Sequence, residues 1–180
     1  MKRLTMPGRL FLIGCLSLFL MSCTSLPKDI KPVGNFQLSR YLGDWYEIAR
    51  LDHSFERGLT QISANYSLRE DGGVRVLNKG FSIEKQEWKT AEGKAYFVED
   101  SKTAHLKVSF FGPFYGAYVV FALDADYQFA FVTSYNKDYL WFLSRTPEVS
   151  DEMKIKFLQT AHAKGFDVDE LIWVDQGAGH

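Results

Sequence analysis

Eight short runs of β-branched and aromatic residues follow one another along the middle of the chain, and they constrain its fold more than any other feature. They are Trp45–Asp52, Gln61–Arg69, Val74–Ser82, Trp88–Val98, His105–Phe111, Ala117–Leu123, Phe129–Ser134 and Tyr139–Ser144. Turn formers such as Asp71-Gly72-Gly73 and Gly112-Pro113 separate them. Val, Phe, Tyr and Trp suit a pleated, half-buried surface, whereas Gly and Pro suit the tight connections between strands. Eight strands at near-even spacing predict an all-β sandwich or barrel. In Ala64-Asn65-Tyr66-Ser67-Leu68 and from His105 to Phe110, apolar and polar residues alternate, so one face of each strand is wet. Tyr118–Leu123 is apolar on both faces and needs a cover outside the sheet.

A single helix supplies that cover. Ser150 is placed as its N-cap, and Asp151 and Glu152 follow where negative charge meets the positive end of the helix dipole. Met153, Phe157, Leu158 and Ala161 recur at helical spacing, and Lys164-Gly165 ends the run. A last short strand is predicted at Leu171–Val174, before a small polar tail over 176–180.

The N-terminus is an address. Lys2, Arg3 and Arg9 precede the apolar run Leu10–Leu20, which is too short to span a bilayer core of roughly 20 residues. This is a secretory leader. Leu20-Met21-Ser22-Cys23 resembles the bacterial lipobox, which implies removal of residues 1–22 and acylation of Cys23. With no Asp at position 24, bacterial sorting rules then favour the outer membrane. Two or more acyl chains anchor stably where one is marginal. Residues 23–37 read as the acylated Cys and a Pro-rich tether, and 38–175 as one domain. Losing the leader removes three of the 21 basic residues and leaves 18 against 22 acidic ones, a net charge of −4. That charge lacks the basic footprint of a nucleic-acid binder. Cys15 leaves with the leader, so no disulfide and no free thiol is expected.

Three motifs point to one family. Gly43-Asp44-Trp45 resembles the first signature of the lipocalins. Leu123-Asp124-Ala125-Asp126-Tyr127 resembles the second, with Ala125 where Thr is frequent. Phe142-Leu143-Ser144-Arg145 resembles the third. The resemblance covers about residues 36–175, and with the Cys23 motif it is closest to bacterial outer-membrane lipocalins. It implies an eight-stranded antiparallel up-and-down β-barrel, with the C-terminal α-helix packed outside and a short final strand. It also implies that Gly43, Trp45, Asp124, Asp126, Tyr127 and Arg145 are structural, with Arg145 stacked on Trp45 at a closed floor.

Period-2 parity, matched to that barrel, gives the inward residues. Ala49, Leu51, Ala64, Tyr66, Val76, Asn78, Val108, Phe110, Tyr118, Val120, Tyr139 and Trp141 are expected to line a ligand cavity, with Ala122 among the small residues that leave room. The segment 110–116 carries four rings at the open end and reads as a gate, a homodimer surface or a membrane contact. The expected ligand is an elongated lipid, a fatty acid or lysophospholipid, bound for storage, transport or membrane maintenance at the periplasmic face of the outer membrane. The mouth residues Arg57, His53 and Lys137 are candidates for its head group. Haem on Tyr66, Tyr118 or Tyr139, or a barrel filled by its own side chains, are the alternatives. The chain has no Gly-x-Ser-x-Gly and no His-Glu-x-x-His, so no enzyme, metal or cofactor is expected.

Overall fold

The computed structural model describes residues 24–177; the leader, Cys23 and residues 178–180 lie outside them. The eight strands form within two residues of the predicted bounds. They are β1 (Gly43–Leu51), β2 (Leu59–Leu68), β3 (Val74–Ser82), β4 (Glu87–Phe97), β5 (His105–Ser109), β6 (Gly116–Leu123), β7 (Phe129–Thr133) and β8 (Leu140–Ser144). Each pairs antiparallel with the next, and β1 pairs with both β2 and β8, which closes the barrel. A one-turn helix α1 (Leu38–Tyr41) precedes β1, a feature the sequence pattern did not predict.

Helix α2 (Asp151–Ala163) is capped as expected, with Ser150 Oγ accepting from the Met153 amide. Phe157 and Ala161 are its buried contacts. The Phe157 ring stacks on Phe142 at 4.8 Å and meets Phe131 edge-on at 4.9 Å. A second core thus sits outside the barrel wall, where Ile48, Ala49, Leu51, Ala117, Val119, Phe131, Leu140 and Phe142 gather under the helix.

Two β-bulges decide which residues join that outer core. In β1, Glu47 pairs with Leu143 and Ala49 with Phe142, so Ile48 is the extra residue. A bulge resets parity. Ala49 and Leu51, expected in the cavity, therefore face the helix. A second bulge between Val120 and Ala122 likewise puts Ala122 in the outer core.

β1 leaves β2 after Tyr46 and there pairs with β9 (Leu171–Trp173), a strand outside the barrel. The residues after β9 stitch the gap. Gln176 Nε2 donates to the carbonyls of both Glu47 and Ile62, and the Asp175 carbonyl accepts from the Gln61 amide and Thr60 Oγ1. Gln176 and Gly177 are thus held, although a free tail was expected from 176.

The segment read as a tether is also packed. Ile30 and Phe36 are buried, the Val33 amide donates to the Val120 carbonyl, and the Thr24 carbonyl lies 2.9 Å from His105 Nε2. Apolar Ile30, Val33 and Phe36 have enough side chain to dock along β5 and β6, which Pro and Gly content alone did not reveal.

Candidate functional site

The closed floor is built by the signature residues. Trp45 is fully buried and its indole N–H donates to the Tyr41 carbonyl. The Arg145 guanidinium carbon lies 4.0 Å from the Trp45 ring. Its donors reach the carbonyls of Asp44, Arg40, Leu42 and Tyr127 at 2.7, 2.8, 3.0 and 3.2 Å. Gly43, at φ +93°, carries the chain past this guanidinium in a conformation that disfavours any side chain. The Asp124 carboxylate accepts the amides of Asp126, Gln128 and Phe129, which shapes the β6–β7 turn. That turn holds Tyr127 at φ +59°, and its hydroxyl accepts from the Gln37 amide.

Above the floor the inner wall is apolar. Ala64, Tyr66, Val76, Val108, Phe110, Tyr118, Val120 and Trp141 all join the inner core, with Asn78 half-buried on the same face of β3 as Val76. Three phenols form a chain across it: the Tyr118 hydroxyl is 2.7 Å from that of Tyr41 and 2.8 Å from that of Tyr66. Burial pushes all three upward in pKa, so they stay protonated. An axial tyrosinate for haem does not suit such phenols. The free space beside them, bounded by Phe36, Leu38, Val76, Leu106 and Val108, is about 20 Å³. That is room for about one water, whereas a benzene-sized ligand needs about 150 Å³.

The open end carries the polar groups. Glu47 and Arg50 lie on the inner face of β1 and form a buried pair, Arg50 Nη1 to Glu47 Oε1 at 2.9 Å. His53 and Glu56 come from the β1–β2 turn, with His53 Nε2 3.0 Å from Glu56 Oε2. The Trp141 indole N–H donates to the same Glu56 oxygen at 3.2 Å. The rings of Phe55, Tyr139 and Trp141 surround His53 at 5.6, 5.8 and 5.0 Å. The spacing of residues along β1 places no second carboxylate beside Glu47. The fold brings Glu56 there, along with Arg50 once the bulge turns it inward. Of the three mouth candidates, only His53 faces this cluster. Arg57 is exposed and paired with Asp52, and Lys137 lies beside Gly165. Phe111 and Phe114 stand out at the β5–β6 connection, 75% and 71% exposed. Among the described residues, no three His, Cys, Asp or Glu side chains are grouped to hold a metal ion.

A closed eight-stranded barrel, a Trp–Arg floor and an external C-terminal helix define a lipocalin. The Lipocalin-like domain family matches residues 36–176, and the chain belongs to it. The chain is 57% identical over 168 residues to the outer membrane lipoprotein Blc of Vibrio cholerae, covering 93% of this chain and 98% of that protein. It is 55% identical to the Escherichia coli K12 protein of the same name, over 83% and 85% of the two chains. These names agree with the outer-membrane location expected from the leader. Insecticyanin from Manduca sexta shares the fold, with a TM-score of 0.64 at 22% identity, over 84% of this chain and 86% of its own.

Proposed function

We propose that the barrel holds one elongated lipid, a fatty acid or lysophospholipid, for storage, transport or maintenance at the outer membrane, where acylated Cys23 ties the protein down. One observation carries the reading. The inner wall is apolar from Trp45 to Val108 and Phe110, and its charged groups gather at the open end. An acyl chain placed along that wall recovers about 0.8 kcal/mol per buried CH₂, and its polar end meets the polar mouth. The ligand contacts assigned to this site are Ala64, Tyr66, Val76, Asn78, Val108, Phe110, Tyr118, Val120, Tyr139 and Trp141. Ala49 and Leu51 are not among them.

The space beside the three phenols is too small for an acyl chain, so rings must move before a chain can lie there. Phe110 is the first candidate, since it lies half-buried at the end of β5 and its ring passes directly over Gly93. The same small space favours a second reading, a structural lipoprotein whose barrel is filled by its own side chains. Native mass spectrometry of the purified protein, followed by lipid titration with Trp fluorescence, separates the two. Retained lipid, or an emission change at micromolar fatty acid or lysophospholipid, supports the first. Neither signal supports the second. For the anchor, radioactive palmitate should label the chain and fail to label Cys23→Ala; equal labelling of both would refute acylation at Cys23.

A further inference from the structure

The open end contains two buried polar side chains with atoms left unbonded. Arg50 is 2% exposed. Its Nη1 donates to Glu47 and its Nη2 to the Glu56 and Leu59 carbonyls, but its Nε–H has no partner among the described residues. His53 is 6% exposed. Its Nε2 is close to Glu56 without the alignment of a hydrogen bond, and its Nδ1 has no partner among the described residues. Buried polar groups are rarely left so, and each such atom demands an account. Phe55, Tyr139 and Trp141 pack around His53, and no described residue supplies the partner it lacks, which leaves the barrel lumen or mouth to provide one.

Charge balance decides the sign of that partner. The charged and titratable groups facing the site are Glu47 and Arg50 from β1, His53 and Glu56 from the β1–β2 turn, and the phenols of Tyr139 and, more deeply, Tyr66. Burial, and then the nearby Glu56, push Glu47 up toward its protonated form. Against the upward push of burial, the adjacent His53 ring, the Trp141 indole N–H and Glu47 hold Glu56 down as the carboxylate. Arg50 then offsets Glu56, so Glu47, Arg50 and Glu56 together carry no net charge. A cation would leave a net charge in a low-dielectric site, which is costly. An anion that arrives with one proton leaves the site neutral.

We propose that Arg50, His53 and Glu56 form the head-group subsite of the barrel, which takes an anionic oxygen, the carboxylate of a fatty acid or the phosphate of a lysophospholipid, together with one proton. The inference rests on the lipid reading above. The anion accepts from Arg50 Nε–H and from His53 Nδ1, which gains its proton from solvent. Glu56 accepts from Nε2 and steadies the imidazolium, as a carboxylate does when it sets the tautomer of a histidine.

The test uses the full chain carrying Cys23→Ser, so that no acyl chain of its own competes. Calorimetry in two buffers of different ionisation enthalpy counts protons for three ligands with one chain: oleate, oleoyl-lysophosphatidylglycerol and monooleoylglycerol, which has no anion. Near pH 7 we expect uptake of about one proton with an anionic lipid and none with the neutral one. The affinity for the lysophospholipid, whose phosphate stays ionised throughout, should rise about tenfold from pH 8 to pH 6, where an imidazole changes charge. His53→Gln should remove both the proton uptake and this pH dependence. The tighter of the two anionic lipids identifies carboxylate or phosphate as the preferred group. Binding of all three lipids with no proton uptake overturns the subsite and leaves the lipid reading standing. Failure of all three to bind overturns both.

Discussion

The Arg145 guanidinium carbon lies 4.0 Å from the centre of the Trp45 ring, while its donors hold the carbonyls of Arg40, Leu42, Asp44 and Tyr127. One side chain therefore ties the start of the barrel to its end. The ring contact is worth about 1–2 kcal/mol. The carbonyls depend on a planar fork that an ammonium group cannot reproduce.

Arg145→Lys should therefore destabilise the protein by about 2–3 kcal/mol, since it keeps the charge and loses most of the bonds. The midpoint of urea unfolding measures this directly. A loss below about 0.5 kcal/mol would show that the floor is held by Trp45 packing alone.

Gln176 is a second tie, at the seam where β1 and β2 part. Its Nε2 donates to the carbonyls of Glu47 and Ile62 on either side. Gln176→Ala removes both donors, and an unsatisfied buried acceptor costs about 1–3 kcal/mol. Hydrogen exchange should accelerate at the Gln61 amide, which bonds to Asp175 next door. Unchanged protection at Gln61 would mean that the seam does not depend on this side chain.

The contrast between these ties and the rest of the fold shows what the sequence carries. Strand bounds and the Ser150 cap are local properties, and residue types report them well. The floor is legible because Gly43, Trp45 and Arg145 stand in the lipocalin pattern. Parity is legible only up to a bulge. Trp45 and Glu47 face inward, but one inserted residue at Ile48 sends Ala49 and Leu51 outward and Arg50 inward. Bulges leave no residue-type mark here, so the mouth cluster of Glu47, Arg50, His53 and Glu56 emerges only from the fold. The docked segment from Ile30 to Phe36 is similar. Its apolar side chains are visible in the sequence, but their partners on β5, β6 and α2 are far away in the chain.

Phe110 governs access if the barrel takes a lipid. Its ring lies so close over β4 that a Cβ on Gly93 would meet it at 2.9 Å. Phe110→Ala should open the interior and raise the association rate of a fluorescent fatty acid by about tenfold, equivalent to ~1.4 kcal/mol off the entry barrier. Stopped-flow mixing reads the rate. An unchanged rate would place the entry barrier elsewhere, for example at Phe55 and Tyr139, which stack at 6.5 Å across the mouth.

The carboxylates at the mouth give stability a pH dependence of predictable sign. Burial, and then Glu56, raise the Glu47 carboxyl in the folded state. The folded protein thus retains a proton that the unfolded chain releases. Stability from this source is fully present below the ordinary carboxylate range of about 4.3, and it declines as pH rises toward the folded value. Glu47→Gln keeps the shape, still accepts from Arg50 through its oxygen and offers an N–H to Glu56, but it cannot ionise. Its melting temperature relative to the native protein should therefore climb between pH 5 and pH 8. Each 1 kcal/mol of relief corresponds to about 2–4 °C for a chain of this size. A difference that stays flat across that range would show that Glu47 does not share its proton economy with Glu56.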